Sequence, residues 1–536
     1  MKLKYIKEMK SLKFIFSLLV WGCLALASCK TDVNISNQLS LIPGNASIVC
    51  EINGKEILAK SGLNSPDDYR FMGWLKMFSA DVYNYLASLF RGSKEAGISA
   101  EKILIYAVLP DFVVTFPMLD KAKYESWLKK VGMPEPSVEE KFSYISENGF
   151  SMAWNDNLVT ISSAKTREQI AEQFNLKDDG LLATNIDFQE FAKKETDIRL
   201  WFPFASIIEL YKSTLFTQIM PVEDSIMNTF GEDLENISAH SYLNFDDGKI
   251  TGLACGYPPE EVEKLQAKYP VLKQDFNKKI LKDMPEQSYM AVNIAINVKE
   301  YFTLFRQNIE KVIENSKGFY GYDIEEKSAE LFEFFDSPEL NSVVEALAGD
   351  AIISIHGFNQ GLISYPLAGL SFTVNGESAF KSILSLIPKD FYHAQDSYYI
   401  ISANKTFIPV YFAYKDSKIF VSNDLDATKK FTTGHKEKTF ADNPIAKIMM
   451  ADKMVFYLNL NFDAYPNNIK MLLQSFMQNN FSRFVSLIEI YEGMYFTNDA
   501  NYNTEYTLQL KNKNVNSLKQ IFKSIDASII SWIDSE

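Results

Sequence analysis

Two kinds of apolar pattern alternate along the chain, and each predicts its own element. Thr504-Glu505-Tyr506-Thr507-Leu508-Gln509-Leu510 switches between polar and apolar positions, as a strand with one buried face does. Ser47-Ile48-Val49-Cys50 and Gly252-Leu253-Ala254-Cys255 are short apolar runs of a similar strand-like kind. Helical spacing takes over elsewhere. Tyr301, Leu304 and Phe305 fall on one face of a helix predicted over 298–313. Asn64-Ser65-Pro66-Asp67-Asp68 supplies a capping serine, a proline for the first helical position and acids for the first turn, so a helix is predicted from there towards Gly92.

The pattern recurs. Ala153-Trp154-Asn155-Asp156-Asn157-Leu158-Val159-Thr160-Ile161-Ser162 aligns without a gap on Ala413-Tyr414-Lys415-Asp416-Ser417-Lys418-Ile419-Phe420-Val421-Ser422, and in each a polar turn around an Asp separates two apolar runs, a hairpin signature. Four more landmarks repeat in the same order. Ile42-Pro43, a strand over 46–52 and Asn53-Gly54-Lys55-Glu56 are echoed by Met284-Pro285, a strand over 289–296 and Asn297-Val298-Lys299-Glu300. A strand pair over 103–116 with a helix carrying Tyr124, Trp127 and Leu128 is echoed over 351–372 with Phe380, Ile383 and Leu384. A strand leading into a long helix occurs at 199–204 and 454–460, and a closing hairpin plus helix at 237–265 and 494–521. This self-similarity predicts an α+β fold of two related halves from an internal duplication, residues 41–282 and 283–536, each with a mainly antiparallel sheet and helices packed on one face.

The first residues differ from all of this. Lys2, Lys4, Lys7, Lys10 and Lys13 precede an apolar stretch over 14–27, which reads as the charged and hydrophobic regions of a signal peptide spanning 1–28. Met9 serves equally as a start, since Lys10 and Lys13 would follow it. The stretch is shorter than the roughly 20 residues a membrane span needs. It closes on Leu26-Ala27-Ser28-Cys29, which resembles a lipobox, so Cys29 is expected to carry lipid and residues 29–40 to form the lipidated cysteine and tether. At about 3.4 Å per extended residue, Lys30 to Gln38 reaches roughly 30 Å.

Charge narrows the partners. The chain has 54 Lys+Arg against 68 Asp+Glu, and loss of residues 1–28 removes five lysines and one glutamate, leaving a formal charge of −18. A surface this acidic excludes nucleic acid and argues against a basic membrane-binding face, leaving attachment to the lipid. Cys50 and Cys255 remain in the mature chain, each in an apolar run where a small buried hydrophobe is the default role. An envelope compartment permits a disulfide between them, although two cysteines make no framework.

Candidate chemistry is sparse. Ser162-Ser163-Ala164-Lys165 and Ser402-Ala403-Asn404-Lys405 have Ser-x-x-Lys spacing, but no Lys-Thr-Gly accompanies them and Thr432-Thr433-Gly434 lacks the cation. His240, His356, His393 and His435 are scattered without a zinc-site spacing, and no cofactor motif appears. The acid pairs Asp67-Asp68, Asp246-Asp247 and Glu325-Glu326 sit at helix starts and a turn, where capping and solvation explain them. Phe319, Tyr320 and Tyr322, set between Gly318 and Gly321, form the candidate binding loop, because rings in a loop can stack on sugars or anchor a partner. Phe391-Tyr392-His393 and Tyr398-Tyr399 form a weaker cluster.

The order of lipobox, short tether, Leu41-Ile42-Pro43, a strand ending Glu51-Ile52-Asn53 and then duplicated units resembles a Bacteroidota lipoprotein family known as a domain of unknown function of the 4836 type. The resemblance implies an envelope lipoprotein and brings no catalytic residues. The expectation is a protein lipid-anchored to the outer membrane, on its periplasmic or surface side, acting as a non-enzymatic binding module for an envelope protein or glycan. The alternative is a glycan hydrolase whose carboxylates are distant in sequence and 5 to 10 Å apart in space.

Overall fold

The computed structural model describes residues 36–39, 42–63, 68–69, 96–108, 111–147, 150–163, 167–174, 181–203, 206, 238–256, 264, 267, 270–273, 275–316, 329, 331–359, 364–401, 408–451, 454–478, 481–498 and 503–533. The first ten strands are β1 (Ile48–Asn53), β2 (Lys102–Val108), β3 (Asp111–Pro117), β4 (Ser137–Val138), β5 (Ser143–Glu147), β6 (Phe150–Trp154), β7 (Leu158–Ser163), β8 (Ile198–Pro203), β9 (Ser238–Asp246) and β10 (Lys249–Cys255). The next ten are β11 (Met290–Ala295), β12 (Leu347–Phe358), β13 (Pro366–Val374), β14 (Tyr392–Ala394), β15 (Tyr399–Ile401), β16 (Val410–Lys415), β17 (Lys418–Ser422), β18 (Met454–Asn459), β19 (Tyr491–Asn498) and β20 (Thr504–Leu510).

All twenty join one sheet. From edge to edge the order is β4-β5-β6-β7-β3-β2-β1-β8-β9-β10-β20-β19-β18-β11-β12-β13-β17-β16-β15-β14, and every neighbouring pair is antiparallel. The second ten strands thus pair in the same order as the first ten, and the two runs meet through their last strands. At this seam Gly252 lies opposite Tyr506, and a β-carbon on Gly252 would fall 1.9 Å from the Tyr506 ring. The ring occupies the space that the missing side chain leaves.

Helices enter at matching points. Among the described residues of the first run they are the single helical turn Ser36–Leu39 before β1, α1 (Gly54–Ser61) after β1, α2 (Lys121–Lys130) after β3, and α3 (Arg167–Phe174) and α4 (Ile186–Lys193) after β7. In the second they are α5 (Val298–Ser316) and α6 (Pro338–Ala346) after β11, α7 (Glu377–Ser385) after β13, α8 (Leu425–Thr433) and α9 (Pro444–Met449) after β17, α10 (Asn467–Met477) and α11 (Phe481–Ile488) after β18, and α12 (Ser517–Ile533) after β20. Local chemistry explains several starts. Asn53 caps α1, Asn185 caps α4 and Asn443 caps α9, each through its side-chain oxygen. The two Ile/Met-Pro landmarks also dock alike: the N–H of Leu182 donates to Ile42 O and that of Phe440 to Met284 O, both at 2.9 Å. The matched hairpins close differently. Asp416 and Ser417 both take positive φ, 49° and 57°, suiting the twist of a two-residue turn, whereas the Asn155 carboxamide accepts the N–H groups of Asn157 and Leu158 at 2.8 and 3.0 Å.

The core lies on both sides of the sheet. Cys50, Ile52, Ile103, Ile105, Val114 and Phe116 face α1, α2 and α12 in one cluster. Their neighbours Val49, Leu104, Tyr106 and Val113 face Leu182 and the Phe188 and Phe191 rings of α4 in another. The expectation of helices on one face therefore fails in the first run, because β1 to β3 are apolar on both of their faces and each face needs a cover. Cys50 belongs to the first cluster and Cys255 packs against the second, with the sheet between them.

Candidate functional site

Cys29, Phe319, Tyr320 and Tyr322 lie outside the described residues, as do Lys165, Ser402, Lys405, Asp67, Glu325 and Glu326. Ser162 is buried on β7. Asp246 accepts the Thr251 hydroxyl at 3.0 Å beside Gly248, whose φ is +67°, so this acid pair forms the hairpin turn that its sequence suggests. Tyr392 meets Tyr399 edge-on at 5.7 Å, and Tyr399 meets Phe380 at 5.9 Å, so these tyrosines pack against the protein while Phe391 stays exposed.

At the start of the described chain, Gln38 is 1% exposed. Its amide donates to Thr115 O at 3.2 Å and Lys102 O at 3.4 Å, pinning the turn Ser36–Leu39 across β2 and β3. Beside it is a pocket of ≈ 210 Å³ lined by Leu39, Glu51, Asn53, Lys102, Thr196 and Arg199 among others. Glu51 and Arg199 are cross-strand neighbours on β1 and β8, and Nη2 of Arg199 meets Oε2 of Glu51 at 2.6 Å. Nη1 donates to the carbonyls of Ala192 and Lys194 at the end of α4. Burial makes this pair obligatory, since either charge alone would be stranded in a medium of low dielectric.

A larger cleft of ≈ 640 Å³ lies between the segment 270–277 and the start of β12, with Asp275 and Asp350 among its walls. Asp350 is committed to the protein. One oxygen accepts Lys273 Nζ at 2.7 Å and the Thr373 hydroxyl at 3.3 Å, and the other accepts the N–H of Asn277 at 3.1 Å.

Two histidines meet carboxylates or hydroxyls. Ser238, His240 and Asp187 have the residue types of a hydrolytic triad, but Ser238 Oγ and Asp187 Oδ2 approach the same ring nitrogen, Nε2, at 3.2 and 3.0 Å. A histidine base needs the serine and the orienting acid on opposite ring nitrogens, so the geometry serves packing. Tyr242 lies 3.4 Å from the other nitrogen, and burial, followed by the field of the Cys255 thiol, pushes its hydroxyl up to about 12. His356 meets Asp424 at 3.1 Å. Burial raises the Asp424 carboxyl, but the His356 hydrogen bond and the N–H groups of Ala427 and Asp426 outweigh it and hold the carboxyl below its usual range while it caps α8. Asp283 accepts Ser371 at 2.7 Å and pairs with Lys418; burial raises its carboxyl despite both partners.

Among the described residues no group of three or more His, Cys, Asp or Glu is placed to hold a metal ion, and no helix is long and apolar enough to cross a membrane. Gln38, expected at the end of the tether, is instead buried against β2 and β3, and the sequence did not single out the pair Glu51 and Arg199. A signal was present: Glu51 and Arg199 are single charges inside apolar runs, and such charges are buried only in pairs.

A continuous antiparallel sheet with helices packed on it defines an α+β protein. The chain belongs to the family described as Domain of unknown function (DUF4836), which matches residues 39–518. No curated protein matches it. Solved structures with a weak likeness include two of one protein. "Structure of crystal form I of TP0453" is 7% identical with a TM-score of 0.24, covering 45% of this chain and 88% of that one. "Structure of crystal form III of TP0453" is 6% identical with a TM-score of 0.25, covering 46% and 89%. Likeness at that level carries nothing over.

Proposed function

We propose that this chain is an outer-membrane lipoprotein, exported by its signal peptide and held through lipid on Cys29. Its body consists of two duplicated halves, 41–282 and 283–536, and works as a non-enzymatic binding module for an envelope protein or glycan. The observation that carries the binding reading is the commitment of the buried polar groups. Asp350, Asp424 and Asp283 each have both oxygens bonded to protein donors, and Glu51 has one bonded to Arg199, so they hold the scaffold together. The duplication is supported by one strand order met twice and by the matched docking of Ile42 and Met284. The anchor is supported by the lipobox and by the burial of Gln38, nine residues after Cys29, which keeps the tether short.

Two measurements test this. Metabolic labelling with a radioactive fatty acid should mark the wild-type chain and not Cys29→Ala; equal labelling overturns the anchor. Hydrogen exchange should show protection of the loop holding Phe319, Tyr320 and Tyr322 when envelope extract is added, and unchanged exchange there counts against that loop as the binding site.

A further inference from the structure

From position 464 to 488 the chain carries no Asp or Glu over 25 residues, while Lys470 and Arg483 supply two cations. Acids make up 68 of all 536 residues, so an average stretch of that length would hold about three. This window contains α10 and α11. No residue of α10 is fully buried, and Met471, Leu472 and Phe476 are 62%, 59% and 90% exposed. At about 100° per residue these three side chains fall within roughly 140° of arc, shared only with the uncharged Ser475 and Asn468. Ile469, Leu473 and Met477, on the remaining side, are half-buried. The helix is thus apolar on two sides, and the body of the protein covers one of them.

We infer that the outward side of α10 lies in the headgroup and upper acyl region of a lipid bilayer. The charge pattern favours lipid, because a segment without acids approaches phosphate headgroups free of the repulsion that the rest of this acidic chain would meet. Area disfavours a second copy: even at 150–250 Å² for the aromatic ring, three side chains expose roughly 400 Å², about half of what each partner contributes to a stable interface.

Position agrees, given the Cys29 anchor on which this geometric step rests. α11 is bonded to α12 through Ser486, which meets Ser528 at 3.0 Å and accepts Ser524 at 2.8 Å. α12 places Leu518 and Phe522 in one cluster with Ile57 and Leu58 of α1. α1 begins after Asn53, which faces Lys102, whose carbonyl receives Gln38. Three helix spacings of about 10 Å, from α1 through α12 and α11, lead to α10, comparable to the roughly 30 Å reach of the tether.

The test is vesicle flotation of the mature chain carrying Cys29→Ala, with phosphatidylcholine vesicles alone and with added phosphatidylglycerol, and sedimentation velocity without lipid. The unlipidated chain should float as a monomer with vesicles. Leu472→Ser with Phe476→Ser should cut partitioning at least about tenfold, whereas Ile186→Ser, at a side chain 77% exposed elsewhere, should leave it unchanged. No flotation, equal flotation of the double variant, or a lipid-free dimer dissolved by Phe476→Ser without flotation would each overturn the inference. Fatty-acid labelling separates it from the anchor: a labelled wild type whose unlipidated form does not float retains the anchor and loses this face.

Discussion

Between β1 and β8 the cross-strand neighbours Glu51 and Arg199 are buried charges joined at 2.6 Å. Between β11 and β18, strands of the same rank in the second run, the facing residues are Asn293 and Val455, joined by side-chain oxygen to backbone N–H at 2.7 Å. Strand order is held by the backbone ladder, which any side chain can supply, so it persists while the buried polar set changes. At this pairing the first run is stitched by a salt bridge and the second by a neutral amide. Each leaves a donor without a partner, Nε of Arg199 and Nδ2 of Asn293.

The largest expected effect comes from breaking the charge pair on one side. Arg199→Met should cost about 3–5 kcal/mol in chemical denaturation, because Glu51 is left charged and buried with Lys102 4.0 Å away. Adding Glu51→Gln should restore much of that loss, and a double variant no better than the single would show that Arg199 acts through packing. The amide in the second run should matter less. Asn293→Ala orphans the Val455 N–H and should cost about 1–3 kcal/mol; an equal loss in both variants would erase the contrast between the runs.

The smallest effect is one of pH, and it belongs to the second run. Burial lowers the pKa of His435 from 6.5, so its contribution is present above about pH 6.5 and is lost as pH falls through the lowered folded value. Asp424, held below 3.8, contributes above that value and is lost only at still lower pH. Asp283, raised by burial, acts in the opposite sense: its contribution is full below 3.8 and is lost as pH rises through the raised folded value. Thermal unfolding from neutral to acid pH should therefore decline first below about 6.5, and His435→Gln should flatten that first decline. An unchanged profile would remove His435 as the cause.

Much of this molecule was legible in short windows. The alternation at 504–510 became β20, the helical spacing after Asn297 became α5, and the aligned stretches 153–162 and 413–422 became β6–β7 and β16–β17. The formal charge of −18 is a sum over the chain and carries no record of the 25-residue window without an acid. Turns, caps and charge windows are set within a few residues, so the sequence by itself determined them. The tertiary structure alone decided that the two runs share one sheet, that Gly252 admits the Tyr506 ring at the seam, that helices cover both faces of β1 to β3, and that Glu51 finds Arg199 across 148 positions. Those contacts depend on which surfaces remain to be covered after local structure has formed, and a window of sequence carries no record of that.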